Sequence, residues 1–302
     1  MNGSGPTWQE GGLEDGLGVA LGGGTARALA HVGVLAELEA AGVRPNAYAG
    51  TSFGAIIAAM AALGTPPLEM ERIARQLNVM EIWTQGVDFG LHRAALVHGE
   101  RWARWLDRKM FFGARFEDTE VPLAIAVTDL ADGSGVVVRE GPIIDAVRAS
   151  CALPGLFAVP CIRGSWHVDG GFVEPVPFAA LRTLGSERML GVHTGLDLSG
   201  SATLGRLRRL DAGPVGRWLH HRTGRLRGRN PWSRLALGLS LSLRSYRNVP
   251  VAPPGAELLT VDPPVRWWDL HRSPQAIRAG RDAARRWLAD RPQVGAMMDA
   301  PA

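Results

Sequence analysis

Apolar and polar positions change period in a regular order along the chain. Residues 17–21, Leu-Gly-Val-Ala-Leu, form an apolar run of strand length. Gly22, Gly23 and Gly24 carry it into residues 26–41, where Leu29, Val32, Leu35 and Leu38 recur at the spacing of one helix face. A second unit follows at once: 47–49 reads as a strand end, 50–54 as a tight turn, and 55–63 as a buried helix of small and aliphatic residues. Two strand–turn–helix units in succession predict a parallel α/β sheet. Beyond them the pattern predicts helices over 67–77 and 100–110, strands over 121–128 and 135–139, and a helix over 142–149 leading into a loop at 150–160. A strand ends at 166–169 before Gly170 and Gly171, a helix follows over 177–184, and strands are expected at 189–193 and 257–261. An amphipathic helix over 274–289 closes the series. This alternation spans 17–290 and predicts one α/β domain, flanked by a loose tail at 1–16 and a short tail at 291–302.

Composition narrows the class. A chain that is 46% hydrophobic and 21% charged buries enough apolar surface to exclude large-scale disorder. The longest weakly polar stretch, 47–63, is interrupted by Gly50, Ser52 and Gly54, and falls short of the roughly 20 apolar residues that cross a bilayer. Residues 1–16 lack the basic start and apolar stretch of a secretory signal. Two cysteines, Cys151 and Cys161, are too few for a disulfide framework or a metal-ligand pattern. These features point to the cytoplasm. The net charge of +4 is unevenly spread, since residues 201–250 hold eleven arginines and one acid, Asp211. Such an insertion, at about 200–250, fits peripheral contact with an anionic membrane surface or a solvated lid. Without a recognised binding motif, nucleic acid is not an expected partner.

Three short motifs carry chemistry. Gly50-Thr51-Ser52-Phe53-Gly54 fits a nucleophile elbow, in which Ser52 projects from a strand-to-helix turn and the glycines let the backbone pass. Gly22-Gly23-Gly24-Thr25-Ala26-Arg27 is a poor dinucleotide fingerprint, because Arg27 stands where the third glycine belongs. It reads either as a tight turn or as a nest of N–H groups suited to an anion, such as an acyl oxyanion, with Arg27 supporting that hole or holding an anionic head group. Asp169-Gly170-Gly171 is by itself a turn signal, and becomes chemical only if Asp169 reaches Ser52. The rival is a Ser–His–Asp triad with His193 or His271 as base, but that α/β-hydrolase arrangement normally sets several strands before its elbow and here one precedes it. Trp83, Phe89, Trp102, Trp105, Phe111, Phe112, Leu153, Leu156 and Phe157 are candidates for an acyl channel or for plain core.

Taken together, 22–27 with 30–35, 50–54 and 169–171 resemble the glycine-rich block, nucleophile motif and Asp-Gly-Gly motif of patatin-like phospholipases, in the family's order. Thr128-Asp129-Leu130, residues 148–154 and residues 280–285 resemble further blocks of bacterial members. Ala28 departs from the family, which usually has Gly there. The resemblance spans about 17–290 and implies a three-layer patatin-like fold with a mostly parallel sheet between helices. It also implies a lipid acyl hydrolase with Ser52 as nucleophile, Asp169 as base, and Gly22, Gly23, Gly24 and Arg27 at the oxyanion. A non-catalytic lipid-binding protein or an acyltransferase on the same serine are the alternatives. The substrate is expected to be a lipid or other apolar ester. No metal or cofactor is expected, an expectation contradicted if a chelator abolishes turnover.

Overall fold

The computed structural model describes residues 16–76, 97–154, 157–195, 250–266 and 268–291. The arginine-rich run, Trp83, Phe89 and Leu156 lie outside them.

The chain enters at β1 (Leu17–Leu21), makes a 3-10 turn at Thr25–Leu29 and continues as α1 (Ala30–Ala40). It then forms β2 (Ala47–Thr51), α2 (Phe53–Ala62) and α3 (Pro67–Gln76). After α4 (Glu100–Leu106) come β3 (Leu123–Asp129), β4 (Gly135–Val138) and α5 (Ile143–Ser150). The short β5 (Cys161–Ile162), which the pattern does not signal, pairs with β6 (Ser165–Asp169). α6 (Phe178–Arg182), β7 (Arg188–His193), β8 (Ala256–Thr260) and α7 (Ser273–Ala289) follow among the described residues. Residues 26–41 are thus not one helix, since the first five positions after the glycines wind as a tighter 3-10 turn.

The sheet runs β5-β6-β3-β2-β1-β7-β8, with β4 on β3. Its centre, β3-β2-β1-β7-β8, is parallel, while β4 and β6 run antiparallel to β3. Both faces are covered, which is why the central strands read as nearly continuous apolar runs. Alternate residues serve different cores. Val19 and Leu21 join Ile125, Val192 and the α1, α2, α5 and α7 side chains, whereas Ala20, Ala47, Ala49 and Ala124 face Phe178 and Leu181 of α6.

Two details position the site. Strand β4 takes residues 125–128 of one edge of β3, so β2 (opposite 123–126) and β6 (opposite 127–129) must share the other edge end to end. Thr51 pairs with Ala126 and Asp169 with Val127, so the residues ending both strands meet although they are far apart in sequence. The second detail is the crossing of α1 and α7, where Gly33 lies on Ile277 and Gly280 on Ala30, with no room for a Cβ at either. Beside that crossing, Glu37 accepts hydrogen bonds from Arg281 (3.1 Å) and Arg285 (2.9 Å), and Arg281 also reaches Glu71 (2.9 Å). Arg285 first, and Arg281 after it, hold the Glu37 carboxyl below its ordinary range against the opposing effect of burial.

Candidate active site

Strand β2 ends where Ser52 takes φ 54° and ψ −128° before α2 begins. Positive φ is costly for a residue with a Cβ, and marks a backbone held by its surroundings. The holding contacts are visible. A Cβ on Gly50 would lie 2.3 Å from Ala55 Cα, and one on Gly54 would lie 2.2 Å from the Leu21 carbonyl oxygen, so both elbow positions require glycine. The Thr51 hydroxyl donates to the Glu174 carbonyl (3.1 Å). The Ser52 N–H donates to Ser150 Oγ (2.8 Å), whose own hydroxyl donates to the Ala126 carbonyl (2.7 Å).

Asp169 is 4% exposed. Its carboxylate neighbours the Ser52 hydroxyl, and Oδ1 accepts the Gly171 N–H at 2.8 Å. Burial raises its pKa from 3.8 to about 6, outweighing the Ser52 hydroxyl and the Gly171 amide, which favour the charged form. The carboxylate therefore titrates closer to neutrality than a free aspartate does. Gly170 and Gly171 earn their places by contact: a Cβ on Gly170 would lie 2.3 Å from the Ala126 carbonyl oxygen. Thr128 fixes the backbone of Asp169 by donating to its carbonyl (2.9 Å).

The glycine turn divides the roles that the sequence assigns jointly to Gly22, Gly23, Gly24 and Arg27. The Gly22 N–H donates to the Val192 carbonyl (3.0 Å) and the Gly23 N–H to the Pro175 carbonyl (3.2 Å), so neither amide is open to an oxyanion. Gly23 instead packs on Ser52, where a Cβ would lie 3.2 Å from the serine Cβ. Gly24, at φ 155°, has no such bond among the described residues and adjoins that contact. At the N-terminus of α2 the Phe53 N–H is likewise uncommitted, the position that an elbow uses for its oxyanion.

Arg27 is turned to another task. Its Nε donates to the Thr194 carbonyl (2.9 Å), Nη1 to the carbonyls of Pro263 and Val265 (both 3.0 Å), and Nη2 to Asp262. These bonds tie the glycine turn to the ends of β7 and β8, a placement that sequence spacing does not reveal. Arg27→Ala is expected to lower stability by about 2–3 kcal/mol, as charged hydrogen bonds to buried carbonyls are lost. Labelling of Ser52 by a fluorophosphonate, measured well below the melting temperature, should stay within a few-fold of wild type. An oxyanion donor would behave oppositely, with a loss on the order of 100- to 1,000-fold at unchanged stability.

Among the described residues, no histidine acts on Asp169. His193 is half-buried beside Arg27, with its pKa lowered by burial and then by that charge, and His271 is exposed. Neither is among the groups acting on Asp169. His31, fully buried, places Nε2 2.8 Å from the Gly22 carbonyl oxygen. A carbonyl only accepts, so Nε2 carries the proton; burial lowers this pKa to about 4 and keeps the ring neutral. Thr194 secures the same turn by donating to the Gly23 carbonyl (3.0 Å). Cys151 and Cys161 are free, and the buried Cys151 thiol borders Ser52 and Asp169, with burial pushing its pKa up.

Of the aromatic channel candidates, Trp102, Trp105 and Phe111 are core, while Phe112 is 81% exposed. Leu153 and Phe157 are half-buried on the loop after α5, and Phe157 stacks obliquely on Trp102 at 5.5 Å. A cleft of about 570 Å³ lies along Glu174, Phe178, Arg182 and Val251, and does not include Ser52 or Asp169. Among the described residues, no cluster of His, Cys, Asp and Glu is arranged to hold a metal, and no helix is long and apolar enough to cross a membrane.

A strained serine at a strand-to-helix turn thus lies beside a buried carboxylate at the end of a neighbouring strand of a mixed, mostly parallel α/β sheet. The sequence profile described as Patatin-like phospholipase matches residues 19–182, more than half of the chain, and the chain belongs to the patatin-like phospholipase family. It is 30% identical over 181 residues to Lysophospholipase nte1 of Emericella nidulans, covering 59% of this chain and 12% of that protein. It is also 30% identical over 188 residues to an uncharacterized NTE family protein of Mycobacterium bovis, covering 62% of this chain and 51% of the relative. The chain thus spans about half, or much less, of the length of these curated relatives. The crystal structure of VipD from Legionella pneumophila aligns with a TM-score of 0.49 at 13% identity, over 92% of this chain and 67% of that one.

Proposed function

We propose that this chain hydrolyses acyl esters of lipids, in the manner of a phospholipase A, lysophospholipase or esterase, through a Ser52–Asp169 dyad and an acyl-enzyme. The observation that carries this reading is the placement of Ser52, held at a strained turn, beside the buried carboxylate of Asp169, whose pKa is raised to about 6. As Ser52 Oγ attacks the ester carbonyl carbon, Asp169 takes the hydroxyl proton. The carbonyl oxygen becomes an oxyanion held by the N–H groups of Gly24 and Phe53, at the positive end of α2. Collapse expels the alcohol, which leaves with the proton from Asp169, and the acyl group stays on Ser52. Water then attacks that ester, giving its proton to Asp169; the fatty acid departs and Ser52 recovers its hydrogen. The names of the relatives support a lysophospholipid among the substrates.

A panel of lysophospholipids, phospholipids and short-chain esters, assayed with wild type and Ser52→Ala, tests the reading. Hydrolysis by wild type should fall by about 10,000-fold or more in the folded variant. The kcat/KM of wild type should decline below pH of about 6 as Asp169 gains a proton. Turnover that survives in Ser52→Ala refutes the nucleophile.

A further inference from the structure

Between nucleophile and base runs a segment that neither motif includes. Ser150, the last residue of α5, is fully buried; its Oγ accepts the Ser52 N–H (2.8 Å) and donates to the Ala126 carbonyl (2.7 Å). Two residues on, the Ala152 carbonyl accepts the N–H of Asp169 (3.1 Å). Between them the buried Cys151 thiol neighbours Ser52 and Asp169. One three-residue run therefore grips the backbone of Ser52 at one end and that of Asp169 at the other. It is anchored in turn to β3, the strand that both β2 and β6 abut.

We infer that residues 150–152 act as a spacer that sets the distance between Ser52 and Asp169, with Ser150 as the positioning residue. The inference rests on the dyad reading above. The physical need for such a spacer is plain. Ser52 is held at a positive φ, and a strained turn relaxes unless its surroundings over-determine it. The Ser52 N–H is the group through which that turn is pinned, and it is consequently not an oxyanion donor. β2 and β6 meet end to end with no hydrogen bond of the ladder running from one to the other, so the sheet alone leaves their relative position soft along the edge of β3. Ser150 and Ala152 close that gap. A displacement of about 1 Å between reacting groups costs on the order of 100-fold in rate.

The test compares Ser150→Ala, Ser150→Cys and Ser150→Thr with wild type and Ser52→Ala, measuring kcat, KM, pH profile and melting temperature. Ser150→Ala should lose roughly 10- to 100-fold in kcat with KM within about twofold, because the substrate still binds but the proton transfer is misaligned. Ser150→Thr, which restores a hydroxyl, should recover most of that loss. The acid limb of the profile should move to higher pH in Ser150→Ala, since the Ser52 hydroxyl, which favours the charged carboxylate, is displaced from it. The groups acting on Asp169 are Ser52 and the Gly171 amide, and the titratable group beside it is the Cys151 thiol, kept neutral by burial. Ser150→Cys keeps the volume but offers a weak acceptor, and reads the same effect should the Ala variant not fold. Unchanged kcat in folded Ala and Cys variants, beside an inactive Ser52→Ala, overturns the spacer and leaves the dyad intact. Failure of both to fold makes Ser150 merely structural and also overturns it. Activity retained in Ser52→Ala removes the reading on which the inference stands.

Discussion

Asp169→Asn is expected to lower kcat by about 1,000- to 10,000-fold while raising the melting temperature at neutral pH. The two effects share one cause. In the fold Asp169 titrates at about 6, above its ordinary value of 3.8, because burial disfavours the charged form. The native state therefore binds the proton more tightly than the unfolded chain. Stability from this group is fully present below pH of about 4 and is lost as pH rises through about 6. A rise from 3.8 to about 6 corresponds to about 3 kcal/mol at most, withdrawn at pH 7 and above. Asparagine is neutral at every pH, and its Oδ1 can still accept the Gly171 N–H. Its melting temperature should match wild type near pH 4 and exceed it near pH 8, with the gap opening between. A variant that is inactive but equally stable across this range would show that burial does not tune the carboxylate.

Gly280→Ala should destabilise the fold by about 3 kcal/mol, although alanine is the better helix former by about 1 kcal/mol. Its Cβ would lie 1.9 Å from the Ala30 carbonyl oxygen, a backbone atom that cannot swing aside. The reciprocal contact is as close, since a Cβ on Gly33 would lie 2.0 Å from the Ile277 carbonyl oxygen. Either substitution wedges α7 from α1 and pulls Arg281 and Arg285 from Glu37. Because α1 follows the glycine turn through the short 3-10 segment Thr25–Leu29, activity should fall with folded fraction, at unchanged KM. Chemical denaturation reads the loss; a stable Gly280→Ala protein would mean that the helices cross farther apart.

The elements that the sequence made legible are those in which local chemistry and period agree. The run 17–21 and the glycines after it mark β1 and its turn, and the spacing in 50–54 marks the elbow, because strand, tight turn and helix each leave a local signature. Family resemblance, rather than period, singled out residues 128–130, 148–154 and 280–285. Their tasks were invisible, because each acts on a distant backbone atom: Thr128 on Asp169, Ser150 on Ser52, Gly280 on Ala30. The same reason explains the fate of Arg27. An arginine one turn past a glycine nest suggests an anion, but its acceptors come from 194 and 262–265, which nothing near Arg27 announces. The meeting of β2 and β6 on one edge of β3 follows from pairing across the fold and has no counterpart in local pattern.

The dyad is tested most directly by the rate at which a fluorophosphonate modifies the protein, followed by intact mass and peptide mapping between pH 4.5 and 8.5 in wild type and Asp169→Asn. The adduct should map to Ser52, its rate in wild type should climb through about pH 6 to a plateau, and the variant should be slower by about 1,000-fold with no such step. An adduct on another residue, or the same pH profile in both proteins, would contradict the account.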